Sequence, residues 1–311
     1  MSNYRTIDVA VRGGNLRTGC WFSDDAVDRQ PDRIVLALHG ITSSQLAWSL
    51  VAEQLAATPS VLVLAPDLRG RGRSTGLPGP WGMAQHAEDV AAVLRACAPG
   101  RSAVVAGHSM GGFVAVLLAA TAPELVSSLV LVDGGIPLVL PAGWTLEAAV
   151  QVGLGPAAER LSMTFEDQAA YRDFWRKHPA FDGEFSAAVA DYVDYDLRPD
   201  GPPWRSSSDA RAMTADHAEL FTGGPVEHAW PRLDLPVSFL RAPRGLQDEP
   251  GGMYPPPVLE DWASQHPGFQ WQDVAGVNHY TITLGERGAS AVSAAVIDQF
   301  RFVPDLAKPA G

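Results

Sequence analysis

Cysteine is scarce in this chain of 311 residues. There are two, Cys20 and Cys97, and neither belongs to a CxxC pair or a zinc-like spacing. That argues against a disulfide framework or a cysteine-bound metal, and predicts two reduced core thiols in a cytoplasmic protein. Long apolar runs are also missing. Val114 to Ala120 is apolar but short, and a membrane-spanning helix needs about 20 such residues. The opening stretch, MSNYRTIDVAV, has no basic segment followed by an apolar run, so no secretory signal is expected. Positive charge is the minority sign: Lys plus Arg is 23 against 35 Asp plus Glu, a net charge of −12. Such a surface repels phosphate backbones and anionic membranes, so neither nucleic acid nor membrane is expected as a partner. No internal repeat is present.

What is there is a core-forming composition, 46% hydrophobic and 19% charged. The length suits one α/β sheet carrying an insertion. From Arg33 to Val132 short apolar runs alternate with amphipathic segments, the pattern of βαβ units and a parallel sheet. Strands are predicted at Arg33–Leu38, Ser60–Ala65, Ser102–Ala106 and Ser127–Val132. Helices are predicted at Gln45–Ala57, Met83–Ala98 and Met110–Ala122. A hairpin around Gly13-Gly14 precedes them. Between Pro137 and Trp230 strand patterns vanish, and helix-like stretches rich in Ala, Trp, Tyr and Phe take over. Strands at Pro236–Arg241 and Phe269–Val274 and a helix at Ala289–Phe300 then resume the α/β pattern. The expected organisation is a core of residues 1–136 and 231–311, interrupted by a helical cap at 137–230.

The segment richest in chemistry is Ser102-Ala-Val-Val-Ala-Gly107-His-Ser109-Met-Gly111-Gly112. A strand runs into G-x-S-x-G and then a helix. A serine at such a turn is strained and projects its Oγ above the sheet, while a Cβ at Gly107 or Gly111 would clash. The following helix aims its N-terminal dipole at the site, which favours an oxyanion.

With Leu38-His39-Gly40 after one strand, Asp67-Leu-Arg-Gly-Arg-Gly-Arg-Ser74 after the next, and Asn278-His279 near the end, the chain resembles the α/β-hydrolase family outside the insertion. That resemblance implies a mostly parallel eight-stranded sheet flanked by helices, with the cap inserted after strand 6. It implies Ser109 as nucleophile and His279, which follows the last strand, as general base. It places oxyanion-hole N–H donors at Met110, next to the nucleophile, and at Ile41, after His39-Gly40. Asp67 to Ser74 is expected to order a loop near the site, with no chemistry assigned. His86 reads as lying on an exposed helix face, and His108 as pointing away from the cleft.

A serine nucleophile needs an imidazole whose tautomer a carboxylate fixes. In the chain order of this fold that acid lies between serine and histidine. Asp248, in the loop after Phe239-Leu240, is the first choice, with Asp133 at the end of Leu129–Val132 and Glu249 as alternatives. The aromatic insertion suggests a mainly apolar pocket, although most of its rings are expected to pack its own helices. Arg172, Arg176 and Lys177 read as a solvated face. The expected activity is hydrolysis of a carboxylic ester, lactone or thioester of a small to medium apolar acyl compound, with no cofactor or metal. A carbon–carbon bond hydrolase of the same fold and a non-catalytic ligand-binding member remain as alternatives.

Overall fold

The computed structural model describes residues 3–23, 31–140 and 143–303. One eight-stranded sheet organises it, in the order β1-β2-β4-β3-β5-β6-β7-β8. The hairpin strands β1 (Asn3–Val11) and β2 (Gly14–Phe22) pair antiparallel, and β2 joins β4 antiparallel. From there to β8 every pairing is parallel: β3 (Arg33–Leu38), β4 (Val61–Pro66), β5 (Ala103–His108), β6 (Val126–Val132), β7 (Val237–Arg241) and β8 (Phe269–Asp273). The predicted fold class and strands are therefore observed. Predicted helix Gln45–Ala57 divides into a 3-10 turn, Gln45–Trp48, and α1, Ser49–Ala56. Its first residue is held from outside, because Gln45 N–H donates to Asp67 Oδ1 at 2.8 Å.

The continuous apolar strands are explained by burial on both faces. Along β3, Ile34, Leu36 and Leu38 enter one hydrophobic cluster, with α2 (Met83–Cys97) and α3 (Met110–Thr121). Val35 and Ala37 enter the other, with α1 and residues of the helix Glu286–Gln299. Alternate residues thus face opposite layers, as the period of two demands. Cys20 is buried, Cys97 is partly so, and both are free thiols.

Between β6 and β7 lie α4 (Leu146–Ser162), α5 (Gln168–Arg176), α6 (Ala187–Asp196), α7 (Ala210–Ala218) and α8 (Pro225–Ala229). Several of the aromatic residues there do pack their own helices: Tyr171, Trp175, Phe181 and Tyr192 form a separate cluster with Val189 and Val193. The basic group on α5 is a solvated face, since Arg172 pairs with Asp194 and Arg176 with Asp173. After β7 come α9 (Pro256–Gln265), α10 (Thr281–Leu284) and α11 (Glu286–Gln299). Among the described residues no helix is long and apolar enough to cross a membrane.

Parallel strands end at one edge of the sheet, and several polar side chains are buried there. Burial lowers the imidazole of His39 to about 3 and that of His217 to about 4, and holds His108 well below its ordinary value. These rings stay neutral in the fold while the unfolded chain takes up protons below about pH 6.5. Stability is therefore full above that pH and declines as the pH falls toward the folded-state values. Asp67 and Glu219, whose carboxyls burial raises, oppose the trend but are outnumbered. The urea midpoint is expected to drop between about pH 6.5 and pH 5, as the unfolding free energy falls by up to about 1.4 kcal/mol per pH unit for each imidazole. The slope should be shallower in His217→Asn. A midpoint that does not move over this range would show that the rings protonate in place.

Candidate active site

Ser109 sits between β5 and α3 with φ 53° and ψ −124°, at positive φ and outside the ordinary regions for an L residue. Such a conformation costs about 1–3 kcal/mol and survives only where the surroundings enforce it. Here close backbone packing enforces it. A Cβ on Gly107 would lie 2.3 Å from the Gly111 carbonyl oxygen, and one on Gly111 would lie 2.1 Å from that of Leu38. The Ser109 N–H donates to Val132 O at 3.0 Å, which ties the turn to the end of β6.

The next residue along β6 is Asp133, also at positive φ, 49°. Its carboxylate is fully buried and both oxygens are used. Oδ2 lies 2.7 Å from Nδ1 of His279, and Oδ1 accepts the Ala242 N–H at 3.2 Å, just past β7. A carboxylate oxygen accepts, so the bond is made by the Nδ1–H of His279, and the Nε2 edge of the ring faces away from Asp133. His279 is itself positioned by Asn278. The Asn278 Oδ1 accepts N–H bonds from Tyr280 and Thr281, closing a turn around the histidine.

Asp248, the first sequence choice for the acid, is not brought to His279. It is partly exposed and forms an ion pair with Arg244 at 2.8 Å, while Asn278 Nδ2 donates to it at 3.1 Å. The Arg244 guanidinium holds its carboxyl below the usual carboxylate range. Glu249 folds back on its own loop, accepting the Gln247 N–H at 2.7 Å. The physical reason is reach. The long loop carries both acids outward, whereas Asp133 leaves a strand directly beside the serine. Gly134 permits that approach, because a Cβ there would lie 2.2 Å from Ser109 O.

The loop after β3 runs against the serine: a Cβ on Gly40 would lie 3.2 Å from Cβ and 3.6 Å from Oγ of Ser109. His39 sets the direction of the Gly40–Ile41 peptide. Its Nε2 accepts the Leu68 N–H at 2.9 Å, so Nδ1 is protonated and donates to Gly40 O at 2.8 Å. Carbonyl and N–H of one trans peptide point in opposite directions, so anchoring Gly40 O turns the Ile41 N–H the other way. Met110 opens α3, where backbone N–H groups have no partner within the helix. His108 is closer to the site than expected. Its Nε2 lies 2.8 Å from the His279 carbonyl oxygen and its ring centroid 4.7 Å from that of His279.

Asp67 to Ser74 orders the loops around the site, as expected, through buried polar side chains. Asp67 is buried and accepts from Gln45, Tyr195 and the Arg73 N–H. Arg69 forms a buried bidentate pair with Asp89, both bonds at 2.8 Å. Arg71 is buried beside Asp216 of α7. His86, expected on an exposed face, is completely buried, with Nε2 2.9 Å from Asp216 Oδ2. Its helix is covered by the insertion, which local periodicity does not reveal. Beyond His279, Tyr280 packs against Trp175, His178 and Phe181, with centroid distances of 5.4–5.9 Å. A groove of about 760 Å³, whose walls include Trp21, Leu46, Arg73 and Tyr195, does not include Ser109 or His279.

The chain is similar in sequence and fold to several known proteins. Over a stretch of 104 residues the chain is 40% identical to lipase LipV of Mycobacterium tuberculosis, 33% of this chain and 38% of that protein. It is 30% identical over 187 residues to the 2-(acetamidomethylene)succinate hydrolase of Mesorhizobium japonicum, covering 58% of this chain and 62% of that one. Each alignment therefore spans less than two thirds of the relative's length. Among solved structures, a thioesterase domain from the curacin biosynthetic pathway superposes with a TM-score of 0.72 at 21% identity, over 95% of this chain and 99% of that one. The sequence pattern of the alpha/beta hydrolase family matches residues 34–295, and the chain belongs to that family.

Proposed function

We propose that this hydrolase is a serine enzyme that cleaves a carboxylic ester, lactone or thioester of a small to medium apolar acyl compound. The observation that carries the reading is the buried Asp133–His279 bond of 2.7 Å beside a strained Ser109. In the reaction, His279 Nε2 takes the Ser109 Oγ proton as Oγ attacks the carbonyl carbon. Asp133 stabilises the resulting imidazolium. The negative charge on the former carbonyl oxygen is received by the N–H groups of Ile41 and Met110. Collapse breaks the bond to the leaving alcohol or thiol, which departs with the proton from His279. Water, deprotonated by the same ring, then hydrolyses the acyl-serine and restores the enzyme.

Residues 137–230 act in this reading as a cap on the core of 1–136 and 231–311. Tyr280, next to His279 and only partly buried, agrees with an apolar acyl chain rather than a charged one. The lipase and esterase names of two M. tuberculosis relatives agree in kind.

Hydrolysis of p-nitrophenyl acetate and butyrate tests the reading. Ser109→Ala should abolish turnover and labelling by a fluorophosphonate. Asp133→Asn should lower kcat by about 10³- to 10⁴-fold, because it favours the wrong imidazole tautomer. Asp248→Asn should stay within about fivefold of wild type, as befits a partly exposed ion pair. A wild type that is inert toward both esters and toward the fluorophosphonate sinks the proposal. An Asp248→Asn variant as impaired as Asp133→Asn would return the acid to the outer loop.

A further inference from the structure

Arg71 is a fully buried cation beside the site, bonded through all three of its nitrogens. Its Nε donates to the Ile41 carbonyl at 2.8 Å, and one Nη donates both to the Arg69 carbonyl, at 2.9 Å, and to Asp216 of α7. The other Nη lies 3.9 Å from Met110 Sδ. Arg71 therefore touches both residues whose N–H groups form the proposed oxyanion hole. Ile41 is held on each side: His39 fixes the peptide before it through Gly40 O, and Arg71 fixes the peptide after it.

The far end of this link lies in the insertion. Asp216 Oδ1 accepts the Gly82 N–H at 2.6 Å, and Oδ2 is shared by Arg71 and His86. Burial by itself raises an aspartate, but Arg71 and His86 together hold Asp216 below the ordinary carboxylate range. The pair is thus ionised, and neither charge has water to fall back on. If α7 left its seat, Arg71 would be a buried, unpaired cation, and its hold on Ile41 would go with it.

We propose that Arg71 is a positioning residue for the oxyanion hole, and that Asp216 makes its hold on Ile41 depend on the seating of α7 against the core. The inference rests on the serine-hydrolase reading and adds a dependence of transition-state stabilisation on the insertion. A shift of a donor by about 1 Å is enough to cost up to about a hundredfold in rate, so the link need move the loop only slightly.

Two variants separate positioning from stability. Arg71→Lys keeps a charge beside Asp216 but lacks the fork that reaches Ile41 and Asp216 together. The double variant Arg71→Met with Asp216→Leu removes both charges, an exchange that commonly preserves or raises stability. With p-nitrophenyl butyrate, kcat is expected to fall about tenfold to a hundredfold in both, with KM within about threefold of wild type. Affinity for a trifluoromethyl ketone, whose adduct with Ser109 places an oxyanion in the hole, should fall in parallel. Should the double variant fail to fold, Arg71→Lys decides. Wild-type kcat and wild-type ketone affinity in Arg71→Lys would overturn the proposal, as would a loss confined to KM. A wild type that neither hydrolyses the ester nor reacts with a fluorophosphonate overturns the underlying reading, a result distinct from an active wild type with unimpaired Arg71 variants.

Discussion

Backbone meets backbone where β5 becomes α3, and the chemistry of the site depends on that contact. Gly107 lies against Gly111, Gly111 against the end of β3, and Gly134 against Ser109 itself, each too close for a Cβ. The approach holds Ser109 at positive φ, with its N–H bonded to Val132 O and its carbonyl to the Gly112 N–H. It also brings the end of β6 so near that the first residue beyond it, Asp133, reaches His279 while bonded to the end of β7. The sheet register therefore fixes the geometry of three side chains from three separate parts of the chain. Parallel pairing does the rest, since all these strands terminate at the same edge.

This edge was legible in the sequence where local chemistry carries the signal. G-x-S-x-G after RSAVVA and before an apolar helix announces itself through glycines that only a tight turn needs, and strand–helix alternation gave the parallel sheet. The partner of His279 was not fixed in the same way. Asp133 and Asp248 both follow strands, and chain order admits both. The local sign in favour of Asp133 was Gly134-Gly135, which reads equally as an ordinary turn until Gly134 is seen against Ser109. Against Asp248 stood Arg244 four residues earlier, a ready ion-pair partner for a carboxylate in an outer loop.

His86 shows a second kind of limit. Its helix has an apolar stripe toward the sheet, and from that stripe the histidine falls on the outer side. The structure covers that side with residues from the insertion, about 130 positions downstream, as Asp216 reaches it. Periodicity reports whether a residue faces its own layer, and is silent about a layer added later in the chain. The same holds for Arg71 and Asp67, whose partners Asp216 and Tyr195 also come from the insertion.

Those long-range pairs invite the question of why a fold would bury charges at all. A buried ion pair is poor value as a source of stability, because desolvating two ions costs about as much as their attraction returns, and apolar substitutes often do as well. Three buried arginine–aspartate pairs, Arg69–Asp89, Arg71–Asp216 and Arg160–Asp196, are nevertheless present, and the last two reach the loop after Gly40. What they supply is direction. Arg71 and Arg160 each extend a hydrogen bond to a carbonyl of the loop after Gly40, at Ile41 and Thr42, while paired to a carboxylate of the insertion. An apolar contact would fill the same space without fixing which way those peptides face. The direction of the Ile41 and Thr42 carbonyls is thus the property that distinguishes this charged arrangement from a greasy one, and it ties the loop after Gly40 to the insertion.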